Sequence, residues 1–324
     1  MISLMLAALQ TVVAPTAAPS PPPSPGQIAD AAPASEWREI AAEDLLVMDL
    51  APDAAGRPRR VVIQLVPAPL ATPWVDNIRR LARAHWWDGT SVNRVQDNYV
   101  AQWGDATERK PLPDGLRAAT EDDYAVDLGQ ARHEADGLVT LRDGDIRARV
   151  VTTGGDAYAR VTAIHRGFPV AAGARDGSTG TAIWPVHCYG SVGVGRNLSP
   201  DTGTGAELYA VIGHAPRHLD RNIAVVGRVV EGIEHLSALP RGTGALGFYE
   251  QAAERVPIRS IRLAAELPGA ERPRFAYLDE TGATFGRYLD RRQNREGPFF
   301  IRPAGGADIC NVPVPTRRVG AGAP

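Results

Sequence analysis

The segment Trp87 to Asp105, WDGTSVNRVQDNYVAQWGD, carries residues whose types and spacing could do chemistry. Arg94 stands on one β-like run. After a turn, Tyr99, Val100 and Gln102 alternate as a second strand would, ending in Gly104 and Asp105. Taken alone, an arginine on a strand reads as a solvated side chain. Other patterns carry less. Asp201, Thr202 and Gly203 spell the aspartic-protease triplet, but that chemistry needs a second carboxylate to share a proton, and the triplet does not recur. His214 and His218 have the spacing of metal ligands on a helix, yet Pro216 between them argues for a turn. The glycine-rich Gly190 to Arg196 stretch, GSVGVGR, lacks both the order and the Lys-Ser/Thr ending of phosphate-binding loops. A Gly-x-Ser-x-Gly nucleophile elbow is also missing.

The elements that must position these residues are mostly short strands. Asp44 to Leu50 and Arg60 to Val66, joined by the turn-rich APDAAGRPR, read as a hairpin. A helix follows, with Thr72 at its N-cap, Pro73 at the first helical position, and Val75, Ile78, Leu81 and Ala82 toward one face. Further β-like segments recur at Ser91 to Val95, Val100 to Trp103, Leu208 to Ile212, Ile223 to Val229 and Ile258 to Leu263, a spacing that favours an antiparallel barrel or sandwich. A second short helix spans about Glu231 to Leu239 and is stopped by Pro240. Between Asp105 and Trp184 the pattern loosens into an insertion of about 106–180, with an acidic patch and a hairpin expected at Asp143 and Gly144. From Pro268 a C-terminal extension, 268–324, shows a helix through Phe285, Tyr288 and Leu289, flanked by Phe275, Tyr277, Phe299 and Phe300, and these aromatics are expected to form a small add-on packing against the main domain.

The chain of 324 residues is long enough for about two folded units. Lys and Arg number 35 against 37 Asp and Glu, a net charge of -2, so no broad basic field exists to hold a nucleic acid backbone. Residues 2–14, ISLMLAALQTVVA, form an uncharged apolar run with the length of a signal-peptide core, though no basic residue precedes it. Residues 15–35 carry seven prolines and read as a semi-extended linker, so that 1–35 is expected to stay outside the fold. No later run suits a membrane span. Export is the expectation, to the periplasm. Cys188 and Cys310 are the only cysteines, and in an exported chain an even count fits a disulfide; two buried free thiols are the alternative.

The Trp87 to Asp105 string resembles the cyclophilin signature, in which a Tyr-Asp-Gly-Thr lead, a Phe-His-Arg strand and a Phe-Met-x-Gln-Gly-Gly-Asp strand carry the active site. Two more segments resemble that family in the correct order. VVIQLVPAPLATPWVDNIRRLA looks like its first paired strand, Ala-Pro turn and first helix. GTGAELYAVIGHAPRHLDRNIAVVGRVVEGIEHL is similar to its Gly-Ser-Gln-Phe-Phe-Ile strand, Leu-Asp-Gly turn, Val-Phe-Gly-Arg-Val strand and second helix. The resemblance covers residues 44–105 and 184–265, within a domain drawn at 36–267.

What the resemblance implies is a mainly β fold, a closed eight-stranded antiparallel barrel capped by two helices, acting as a bacterial peptidyl-prolyl cis/trans isomerase without a cofactor on proline-containing polypeptides. Arg94 and Gln102 take the catalytic positions. Tyr99, Val100, Val194, Glu207, Tyr209, His218, Leu219 and Ile223 take the substrate-binding ones. Tyr99 and Tyr209 stand where Phe is usual, Val100 for Met, Glu207 for Gln, His218 for Trp, Ile223 for His, and Val194 for an Asn that acts through its backbone. The insertion leaves and re-enters beside the slot and is expected to form part of its wall. A peptide-binding module that keeps the slot without turnover is the alternative reading.

Overall fold

The computed structural model describes residues 22–129, 132–133, 137–141, 146–175, 180–297 and 299–320. The signal-like run and the start of the Pro-rich segment lie outside these residues, as does the Asp143, Gly144 turn.

Along the chain, helix α1 (Pro25–Asp30) is followed by strand β1 (Trp37–Glu39) and a hairpin of β2 (Leu45–Leu50) and β3 (Arg59–Leu65). Helix α2 (Thr72–Arg83) leads to a second hairpin, β4 (Ser91–Val95) and β5 (Val100–Gly104). Seven strands follow: β6 (Val126–Asp127), β7 (Arg132–His133), β8 (Leu138–Leu141), β9 (Ile146–Thr152), β10 (Val161–His165), β11 (Phe168–Ala174) and β12 (Thr181–Pro185). Then come β13 (Ser191–Val194), β14 (Leu208–Val211), β15 (Val225–Glu231), the short α3 (Glu234–Ser237) and β16 (Val256–Leu263). The chain ends through β17 (Phe275–Leu278), α4 (Ala283–Gln293) and β18 (Thr316–Arg318).

Eight strands close into a barrel in the order β13-β14-β5-β4-β16-β2-β3-β15, all paired antiparallel. This is the eight-stranded barrel expected. Its strand β2, LLVMDL, is buried on both faces, which is why it lacks polar alternation. Leu46, Met48 and Leu50 fill the barrel, while Leu45 and Val47 face outward onto Phe275 and Ala264. Helix α2 covers one mouth with Trp74, Val75, Ile78, Leu81 and Ala82. Its start differs from expectation by one residue: Ala71, at φ 47°, is the N-cap, and Thr72 lies inside the helix with its hydroxyl donating to the Pro69 carbonyl at 3.0 Å. The second helix is shorter than read, because β15 runs through Glu231 and leaves a single turn before Pro240.

Two further layers sit on the barrel. The sheet β6-β12-β11-β10-β9-β8-β7 buries Ile146, Ala163, Phe168, Val170 and Ile183 with barrel residues Val66 and Leu70, and turns Val151, Ile164, Ala171 and Trp184 the other way. That second face meets Phe285, Tyr288 and Leu289 of α4. The sheet begins at Val126, so residues 106–124 are not part of it. They wrap the barrel end instead, where Tyr124 stacks on Trp74 at 5.3 Å and the Trp86 indole donates to the Pro111 carbonyl.

The exclusion of residues up to 35 is corrected for its later part. Ser24 and Gln27 form a capping box at α1, Pro25 starts the helix, and Ala29 and Ala32 are buried in the α4 cluster. Strand β1 then pairs with β17, which pairs with β18, so the last layer is built from both ends of the chain. Proline density had masked a capped helix. Phe299 and Phe300 are exposed and do not pack against the main domain as expected. Cys188 and Cys310 are bonded, Cα to Cα 5.1 Å, tying the lead of β13 to this layer. Among the described residues no helix is long and apolar enough to cross a membrane.

Candidate active site

The hairpin β4-β5 puts Arg94 opposite Gln102, with a register shift between Val92 and Arg94. Arg94 Nη1 donates to Gln102 Oε1 at 3.0 Å, Nη2 to Gln96 Oε1 at 2.5 Å, and Nε to the Leu246 carbonyl at 2.7 Å. All three acceptors are neutral. A guanidinium has five N–H donors, so two remain without a protein partner among the described residues. Burial pushes its pKa down from the usual arginine range, opposed by the nearby phenols of Tyr99 and Tyr209, but it stays a cation. The rings of Tyr99 and Phe248 lie 5.7 and 5.4 Å from its guanidinium carbon and fix its plane.

Beside the guanidinium, Val100, Tyr209 and Val211 with Tyr99 and Ile223 make a small apolar cluster separate from the barrel core. Tyr99, Val100, Tyr209 and Ile223 of this cluster, with Leu219, line a groove of about 720 Å³ that also takes in Arg94, Gln102, Glu207 and Phe248. A cleft of about 800 Å³ on another face, between α2 and the Asp122 to Asp127 segment, offers mainly charged side chains and no such slot.

Glu207 lies against the backbone of β5. A Cβ on Gly104 would sit 1.9 Å from Glu207 Oε1, so only glycine allows this approach. The Asp105 backbone N–H and the Gln102 amide pull the Glu207 pKa down, yet burial dominates and pushes it up to about 7. Gln102 is thereby oriented, its carbonyl toward Arg94 and its amide toward Glu207. Asp105 goes the other way, to about 2: burial would raise it, but the backbone N–H groups of Lys110, Thr107 and Arg109 together outweigh that.

Of the residues expected here, Arg94, Gln102, Tyr99, Val100, Glu207, Tyr209, Leu219 and Ile223 converge on one groove. Two do not. Val194 is fully buried and its side chain belongs to the barrel core, as β-strand alternation on β13 requires. His218, in the turn Arg217–Leu219, is exposed and lies outside the groove. The loop 106–112 contributes Ala106, Glu108, Lys110 and Leu112 to the wall, but the seven-stranded sheet does not line it. Sequence reasoning missed Gln96, Leu246 and Phe248, which hold Arg94. The aromatic after the glycine-rich RGTGALG was their one signal. The Asp201 triplet is a turn, its carboxylate accepting the Asn197 and Gly203 amides at 3.0 and 2.9 Å.

The sequence model described as cyclophilin type peptidyl-prolyl cis-trans isomerase/CLD matches residues 58–263. Among solved structures, the chain is similar to a cyclophilin from Hirschia baltica, with a TM-score of 0.63 and 22% identity over 87% of this chain and 93% of that one. A cyclophilin type peptidyl-prolyl cis-trans isomerase from Cryptosporidium parvum gives a TM-score of 0.37 and 10% identity, over 68% of this chain and 96% of that one. No curated protein matches the sequence.

Proposed function

The chain belongs to the cyclophilin type peptidyl-prolyl cis-trans isomerases, and from that membership we propose that it turns X-Pro bonds in exported polypeptides and so assists their folding. The planar X-Pro amide is held by resonance behind a barrier of about 18–20 kcal/mol, and uncatalysed exchange takes tens of seconds or more. Rotation localises the lone pair on the prolyl nitrogen. A cation aimed at that nitrogen therefore binds the twisted amide better than the planar one, which is stabilisation specific to the transition state. The observation that carries this reading is Arg94: beside an apolar cluster, and among the described residues, it keeps two N–H donors without a protein partner and pairs with no carboxylate. Gln102 holds the guanidinium in place and Tyr99, Val100, Tyr209 and Ile223 seat the proline.

Support for action outside the cytoplasm comes from the apolar run at 2–14 and from the Cys188–Cys310 bond, a link that persists in oxidising compartments. A protease-coupled assay with Ala-Pro peptides tests the activity, and wild-type protein that leaves the spontaneous exchange rate unchanged would refute it. Fractionation of cells expressing the full chain, with and without residues 2–14, tests the location. Equal retention of both in the cytoplasm would refute export.

A further inference from the structure

The slot needs an apolar ring at position 209, and a phenylalanine would serve; the chain carries a tyrosine whose hydroxyl is turned away into the protein. Tyr209 Oη reaches across Gly193 on the neighbouring strand, where a Cβ would stand 2.3 Å from it, and meets His187 Nε2 at 2.9 Å. The two rings lie nearly parallel, 11° apart, with centroids separated by 6.3 Å. The His187 side chain is completely buried and is not part of the groove. Its Nδ1 donates to Asp220 Oδ1 at 2.9 Å, and the same oxygen accepts the His187 backbone N–H at 3.0 Å. Asp220 Oδ2 accepts Arg217 Nε at 2.6 Å, and Arg217 Nη1 donates to Asp156 Oδ2 at 2.8 Å.

This row of polar groups runs from the wall of the slot to the loop after β9. Burying an imidazole, a carboxylate and a guanidinium costs solvation that an apolar core would not lose, and one missing partner would strand a buried charge. Asp220 can only accept, so it fixes which imidazole nitrogen carries the proton toward it and leaves the other facing the phenol.

We propose that His187 is a positioning residue that locks the Tyr209 ring in the wall of the proline slot, anchored by Asp220 and Arg217 of the turn before β15 and, through Arg217, by Asp156 of the seven-stranded sheet's β9-β10 loop. The sheet thus acts on the slot without lining it. This rests on the reading of the slot as the proline site. Loss of the lock lets the ring wander, which weakens peptide binding and leaves the chemistry at Arg94 as it was.

A double-mutant cycle on the full chain tests it, with NMR titration and exchange of one Ala-Pro peptide giving Kd and turnover separately. His187→Ala and Tyr209→Phe are each expected to raise Kd roughly fivefold, about one hydrogen bond, with kcat within twofold. The double variant is expected to match either single one. His187→Gln, which still offers a polar group toward the phenol, is expected to recover much of the loss. Multiplying effects, or a Kd that follows melting temperature across the variants, overturn the proposal. If His187→Ala does not fold, Tyr209→Phe decides alone: a raised Kd together with loss of the peptide-induced shift of the His187 ring nitrogens supports the lock, and an unchanged Kd overturns it. Wild-type protein that binds the peptide without turning it over refutes the isomerase reading only, and the Kd values still judge the lock; wild-type protein that binds no proline peptide overturns both.

Discussion

Among the described residues Arg94 donates to amide and carbonyl oxygens alone, and the buried groove carboxylate Glu207 faces Gln102 and the Asp105 amide. Glu207 itself titrates near 7, so it is mostly neutral at pH 6 and mostly charged at pH 8. The other charged groups on the groove are Asp105, Glu108, Asp201, Lys110, Arg196 and Arg255. Ionising Glu207 adds one negative charge to that set. The ratio of kcat/KM for a peptide with lysine near the X-Pro bond to that for its alanine counterpart should therefore rise about threefold from pH 6 to 8. Glu207→Gln should flatten the ratio, and a flat wild-type profile would contradict this assignment. Most of this site was legible in the sequence because Arg94, Tyr99, Val100 and Gln102 fall within nine residues on one hairpin. Phe248 and His187 were not, since their partners lie far along the chain, and spacing does not report such pairs; Gln96 sits two residues from Arg94, and no pattern at that spacing marks the contact.

The barrel strands were legible wherever turns bracket them, and the errors fall where tertiary contacts overrule local pattern. Strand β13 read as a glycine-rich loop, although Gly193 is there to let Tyr209 cross it. Helix α1 was hidden by prolines that in fact start it. The layers are joined at the β10-β11 turn, where the carboxylate of Glu280 accepts the Arg166 and Gly167 amides while 3% exposed. Burial raises its pKa from 4.5 to about 7, against the pull of those amides. A carboxyl raised in the folded state binds more protons folded than unfolded. Its contribution is therefore complete below about 4.5 and is lost as pH rises through 7, amounting to at most about 3 kcal/mol. The melting temperature should fall between pH 5 and pH 8. In Glu280→Gln, which imitates the protonated acid, the fall should be smaller; equal slopes in both proteins would contradict this reading.

At the scale of the whole molecule, one covalent bond ties the segment entering barrel strand β13 to the last layer, closing a sequence separation of 122 residues between Cys188 and Cys310. The chain-entropy account gives such a loop up to about 4–5 kcal/mol, much of it from restricting the unfolded chain. Cys188→Ser/Cys310→Ser protein should melt well below the oxidised wild type, and reductant should lower the wild type toward it while leaving the variant unmoved. Identical melting of oxidised and reduced wild type would contradict the bond's role. The proposed function turns on one chemical consequence of the architecture, the presentation of Arg94 to a seated prolyl nitrogen. The direct measurement is kcat/KM for an Ala-Pro peptide in wild type and Arg94→Ala, with peptide affinity recorded on the same samples. The account predicts a loss of roughly 30- to 1000-fold, about 2–4 kcal/mol of transition-state stabilisation, in a protein that still folds and still binds the peptide. An Arg94→Ala protein that isomerises at the wild-type rate would contradict it.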